Sequence, residues 1–197
     1  SDFRDQIIRS AKTLGRRFDV DETYSKSVAE LARRLFFELE GEHQLSSRYE
    51  VLLYVAALLH EIGLFINVRS NHKHAFYLIR NSELFGLSKS EKALVGLVAR
   101  YHRRAFPQPS HESYGSLRRN ERIAVAKMAA ILRLAIALCD TRTGRIREIK
   151  CVREDKRLVI FVPDVEDVSL ERLAMQKGAG LFEEVFGVPV LLRTTLG

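Results

Sequence analysis

Six histidines and a crowd of arginines carry most of the chemistry open to this 197-residue sequence. His60 follows Leu53 and Leu52 at seven and eight residues, so it continues the apolar face of its helix. His102 stands in the same relation to Val98 and Leu94 on another helix. Glu61 adjoins the first of these imidazoles. His72 and His74 flank Lys73, and an i, i+2 pair cannot share one helical face, so one of the two can reach inward while the other faces out. Imidazoles with a carboxylate are good ligands for zinc, manganese or iron. An ion held there could polarise a phosphoryl oxygen and lower the pKa of a bound water. The other reading makes His60 and His102 core imidazoles bonded to neighbouring backbone. Both stay open on residue types alone. Glycine-rich phosphate loops and a nucleophile elbow are missing, and neither Cys139 nor Cys151 lies near a histidine in sequence.

The charge is segregated. Residues 100–147 hold eleven basic side chains, ten of them arginine, against Glu112, Glu121 and Asp140, and the rest of the chain is close to balanced. The whole net charge of +7 therefore comes from this middle stretch. A concentrated positive field attracts polyanions such as nucleic acid, nucleotides or polyphosphate, and the arginine fork matches phosphate oxygens. A solvated basic surface is the alternative. With 46% apolar residues and no low-complexity tract, disorder is excluded. No apolar run reaches the roughly 20 residues that cross a bilayer, so no membrane partner is expected. Two cysteines make no disulfide framework, which points to a reducing cytoplasm. Ser1 is not a methionine, so a piece of a longer protein is expected.

The elements that must position these groups are mostly helices. The pattern predicts helices over Asp2–Phe18, over Glu22–Glu40 with Asp21 as cap and Gly41 as stop, and over Tyr49–Ile62, the last nearly all apolar. A loop follows over Gly63–Asn71, then a short helix over His74–Asn81. Ser88 to Glu91 reads as a capping box opening a helix to about Arg103. Pro107–Tyr114 reads as a loop and Leu117–Cys139 as the last long helix. Strands are expected over Ile146–Val152 and Arg157–Val162, then a helix over Ser169–Phe186 and a strand over Val188–Leu192. The fold class is thus mainly α: a bundle of about six helices over residues 1–145, with a small β-β-α-β region over 146–197.

Several segments carry a resemblance. Tyr24-Ser-Lys-Ser-Val-Ala-Glu-Leu-Ala32, Ala56-Ala-Leu-Leu-His-Glu-Ile-Gly63 and Ile131-Leu-Arg-Leu-Ala-Ile-Ala-Leu138 resemble stations of the HD-domain phosphohydrolases. His72-Lys-His-Ala-Phe-Tyr-Leu-Ile-Arg-Asn81, followed by Val98-Ala-Arg-Tyr-His-Arg-Arg104, is similar to the C-terminal HD-like region of the Ppx/GppA exopolyphosphatases and guanosine pentaphosphate phosphohydrolases. Against the HD pattern, Tyr24 stands in place of the first ligand His, Glu61 in place of Asp and Ile136 in place of the last Asp. The resemblance therefore implies a vestigial cleft of Tyr24, His60, Glu61, His74, His102 and Ile136 that holds no metal. It further implies that catalysis lies in an N-terminal actin-like module, magnesium-dependent in the parent family, with no catalytic residue or cofactor in this chain. The expected ligand is polyphosphate or a guanosine polyphosphate, with Arg100, Arg103, Arg104, Arg118, Arg119 and Arg142 as phosphate contacts and a homodimer as a further expectation. The rival readings are a metal-dependent phosphohydrolase at His60, Glu61, His74 and His102, a nucleic-acid binder, and an oligomerisation module.

Overall fold

The computed structural model describes residues 2–194, so Ser1 and the end of the expected C-terminal region, 195–197, lie outside the described residues. Helix α1, Asp2–Arg17, opens with Asp2 and Asp5 and closes with Arg16 and Arg17, as the helix dipole favours, and buries the stripe Ile7, Ala11, Leu14. Helix α2, Glu22–Glu38, starts where expected, with the Asp21 carboxylate accepting from the Tyr24 amide at 3.1 Å. Gly41 does not end it. A single turn, α3 (Glu40–His43), incorporates that glycine, and the chain reverses at Gln44 in the left-handed region, φ 53°. The buried His43 ring secures this reversal by accepting from the Leu45 amide and meeting the Phe36 carbonyl at 2.7 Å.

Helix α4, Arg48–Leu59, is buried on every side from Glu50 onward, which explains its lack of an apolar stripe. It packs against α1, α2 and the helices α6 and α8 described below. Part of the expected loop after it is a 3₁₀ turn, Ile62–Phe65, and α5, Asn71–Arg80, begins three residues before the expected start. Helix α6, Lys89–Arg100, carries both halves of the Ser88–Glu91 capping box but stops three residues short of Arg103. The expected loop beyond it includes one turn, α7 (Glu112–Gly115). Helix α8, Arg119–Leu138, is buried through most of its length and meets α2, α4 and α6. No helix among the described residues is long and apolar enough to cross a membrane.

Strands β1 (Lys150–Glu154) and β2 (Arg157–Phe161) form an antiparallel hairpin whose turn is Asp155 and Lys156. The expected helix over 169–186 is divided into α9 (Ser169–Gly178) and α10 (Gly180–Phe186), both packed on α8. Glycines flank the break, and at Gly178 the backbone comes so near α8 that an added Cβ would lie 3.1 Å from Ala137 and 3.2 Å from the Arg133 carbonyl. Strand β3, Val190–Arg193, then joins β2 in parallel, giving the order β1-β2-β3. Side chains meet both edges of this sheet: Glu38 accepts from the Cys151 amide at 2.7 Å, and Arg172 donates to the Leu192 carbonyl at 3.0 Å. The chain is mainly α with a small C-terminal sheet, and its apolar core runs from Ile7 to Leu192.

The 3₁₀ turn and α5 meet backbone to backbone. A Cβ on Gly63 would stand 1.9 Å from the Asn71 carbonyl oxygen and 2.8 Å from the Ala75 nitrogen, whereas one on Gly41 would meet nothing within 4 Å. The same chemical change should therefore have opposite signs. Gly63→Ala is expected to cost about 3 kcal/mol, because backbone cannot yield as a side chain would. Gly41→Ala is expected to be neutral or stabilising by up to about 1 kcal/mol. Urea unfolding of the two variants checks this, and equal midpoints would refute it.

Candidate functional site

Two helix ends bring the candidate histidines together by the same local device. His60 caps α4, and its Nδ1 lies 2.6 Å from the Ala57 carbonyl; His102, just past α6, lies 2.6 Å from the Ala99 carbonyl. A carbonyl only accepts, so Nδ1 carries the proton in both rings. The rings meet edge to face at 5.0 Å, and Tyr24 of α2 lies 5.9 Å from His60. Burial holds both imidazoles below the ordinary histidine range, and at His102 the neighbouring His60 adds to the effect. Both are neutral at pH 7.

Arg142 closes this cleft. Its guanidinium stacks 3.7 Å from the centre of the Tyr24 ring and donates to Glu61 Oε2 at 2.7 Å. The carboxylate that would neutralise a metal ion is thus already neutralised by a side-chain cation. Among the described residues no three of His, Cys, Asp and Glu form a set able to hold a metal ion. These residues do not fit the divalent cation of the HD pattern. Tyr24, His60, Glu61 and His102 are brought together. His74 is half-buried on α5 with no hydrogen bond or ring contact to the four, and Ile136 packs half-buried against the apolar core on α8.

The expected phosphate contacts divide into three places. Arg100 ends α6, and Arg103 and Arg104 follow within four residues. Arg118 and Arg119 stand exposed at the start of α8, where Arg118 pairs with Glu121 at 3.4 Å. Arg142 lies past the other end of α8, whose twenty residues span about 30 Å. Other arginines of the basic stretch are committed to structure: Arg122 to the carbonyls of Gly115 and Leu117, Arg145 to the buried Glu171, Arg147 to the Gly144 carbonyl.

The first group is the one without ion-pair partners. Lys73, Arg100, Arg103 and Arg104 make no ion pair among the described residues. They surround His72, whose pKa is pushed down to about 4, first by burial and then by Arg103, Lys73, Arg100 and Arg104. None of the charges named as acting on His72 is a carboxylate. Sequence reasoning placed the three arginines here but gave no role to His72 or Lys73, although the His72–His74 triplet stood next to the arginine segment in the resemblance.

The anchor of this segment was also missed. Arg133 of α8 is buried, and its guanidinium donates to the carbonyls of Tyr101 (2.7 Å), Ala105 (2.9 Å) and Arg104 (3.2 Å) while lying 5.1 Å from the Phe106 ring. Burial lowers its pKa to about 10, so it stays charged at pH 7. These bonds hold Arg104 in the left-handed region at φ 65°. A buried cation hydrogen-bonded only to backbone has no local sequence signature.

The family model described as "Ppx/GppA phosphatase, domain III" matches residues 7–174. The chain belongs to the Ppx/GppA phosphatase family. Relatives in this family include a guanosine-5'-triphosphate,3'-diphosphate pyrophosphatase of Aeromonas hydrophila subsp. hydrophila, 32% identical over 157 residues, which are 79% of this chain and 31% of that protein. A protein of the same description from Vibrio atlanticus is 32% identical over 164 residues, 81% of this chain and 32% of its own length. The chain spans about a third of the length of these curated relatives. Both halves of the Ppx/GppA resemblance, His72–Asn81 and Val98–Arg104, lie inside the matched region, where they supply Lys73, Arg100, Arg103 and Arg104.

Two outcomes follow from this geometry. Arg133→Met removes the donor to three carbonyls and is expected to cost about 3 kcal/mol, with faster amide hydrogen exchange concentrated in residues 101–106. Uniform exchange throughout the chain would contradict the anchoring role. The second concerns pH. Burial lowers the pKa of His43, His60, His72 and His102 alike, so the unfolded chain takes up protons near pH 6.5 and the folded chain only at lower pH, well below it for His72 and His102. Their contribution is present above about pH 6.5 and is lost as pH falls toward the folded values. The melting temperature should decline between about pH 7 and pH 5, and a flat profile there would count against neutral buried rings.

Proposed function

We propose that this Ppx/GppA region binds a phosphate-rich anion, a guanosine polyphosphate or inorganic polyphosphate, and presents it for hydrolysis by an actin-like module outside this chain. The observation that carries the reading is the group Lys73, Arg100, Arg103 and Arg104, four cations around one buried imidazole with no carboxylate among them. Like charges held together repel, and the arrangement is relieved when an anion binds. Arginine forks favour phosphate oxygens, which are tetrahedral and multiply charged. The relatives' description as pyrophosphatases acting on guanosine-5'-triphosphate,3'-diphosphate supports a nucleotide polyphosphate over duplex nucleic acid. The Tyr24–Arg142–Glu61 closure favours chemistry located elsewhere, since no water-activating ion fits the cleft. Arg118 and Arg119, at the far end of α8 from Arg142, give a long chain a second foothold. A homodimer would double this surface.

Titration of inorganic polyphosphate against the 197-residue chain at several salt concentrations tests the reading. Neutralising four phosphates predicts log K falling with log salt at a slope of about −3. Binding that is absent, or indifferent to salt, would sink it.

A further inference from the structure

We infer that the recess between the start of α5 and the segment after α6 is a socket for one or two phosphoryl groups, the compact end of a polyphosphate rather than the body of the chain or a base. This rests on the phosphate-binding reading above and narrows it to one place and one size of group. The recess is lined by His72, Lys73, Arg100, Tyr101, Arg103 and His111, and its volume is about 150 Å³. Liquid water takes about 30 Å³ per molecule, so the space equals roughly five waters, enough for a phosphoryl or diphosphate group. Sites for whole drug-sized molecules begin at about 300 Å³, so a guanine nucleoside stays outside.

The lining is built for an anion. Lys73, Arg100 and Arg103 contribute three positive charges, and no lining residue is acidic. His72 is 8% exposed, and its Nδ1 is buried with no hydrogen-bond partner. Nearly every buried polar nitrogen in a folded protein finds a partner, so a residue lining a cationic recess that keeps one unsatisfied has bonding capacity to spare. With its pKa near 4 the His72 ring is neutral at pH 7 and adds no further charge to the cluster. The opposite wall is fixed in advance, because the Tyr101 hydroxyl bonds His111 Nδ1 at 2.6 Å and the two rings stack. Arg133 immobilises the backbone between these walls through the Tyr101 and Ala105 carbonyls. A pre-set wall of this kind lowers the entropy lost on binding.

Calorimetry of the 197-residue chain with inorganic pyrophosphate, and separately with long-chain polyphosphate, decides the matter. The variants are Arg103→Ala, Lys73→Ala and the double change Arg118→Ala/Arg119→Ala, all at exposed or half-buried side chains. The socket predicts that pyrophosphate binds and that Arg103→Ala or Lys73→Ala weakens it about tenfold, one charge-assisted contact, while the double variant stays within about twofold. It also predicts that pyrophosphate shifts the His72 imidazole resonances, assigned by their loss in His72→Gln. Polyphosphate binding without pyrophosphate binding would overturn the socket and leave the broader reading standing. Pyrophosphate affinity that falls equally in all variants, or an unmoved His72 signal, would overturn it too. Failure of both anions would overturn both.

Discussion

A buried guanidinium with no carboxylate partner governs the architecture of this region. Arg133 sits in the C-terminal half of the helix that leads from the bundle to the C-terminal sheet, and it meets the backbone of the segment after α6 rather than an acid. Desolvating that cation is costly, and only several well-directed carbonyls can offset the cost. The cost of losing them in turn makes residues 101–105 rigid. A carboxylate partner would have neutralised the charge equally well, but it would have placed an acid beside Arg103 and Arg104. Carbonyls satisfy the cation and leave the neighbourhood electropositive.

That choice fits how the other charges are distributed. Glu50, Glu171 and Glu91 each take a bidentate arginine, respectively Arg4, Arg145 and Arg48, and these pairs join elements distant in sequence. Glu61 takes Arg142 across the histidine cleft. Acids are thus consumed wherever helices need fastening, and the group around His72 is left without them. The cleft and the cationic group are neighbours with opposite characters: one internally neutralised and closed, the other charged and unfilled. His102 links them: its ring meets His60 of the first edge to face, and its charge state is influenced by His72 of the second.

Much of the bundle was legible because its signals are local. Asp21 and the Ser88–Glu91 box fix two helix starts through bonds spanning three residues, and the apolar run of α4 announces full burial. Boundaries set by tertiary contact were not legible. Gly41 reads as a stop, but the reversal is set by Gln44 and the His43 ring; the division at Ala179 answers to the close approach of α8. At the site, the convergence of Tyr24, His60, Glu61 and His102 followed from the resemblance. The basic stretch was visible as charge, yet a net count cannot tell a guanidinium bound to Glu61 or to three carbonyls from one facing solvent. The ties of Arg142 to Glu61 and of Arg133 to backbone were hidden for that reason, and Lys73 was missed because it lies outside the stretch.

The treatment of the small sheet has its own consequence. Three short strands leave two unpaired borders, and such borders ordinarily invite a strand from another molecule. Here Glu38 already holds the Cys151 amide and Arg172 the Leu192 carbonyl, so a newcomer would have to displace a charged side chain before its first ladder bond could form. At these two positions the borders of the sheet are thus already occupied by charged side chains of the same chain.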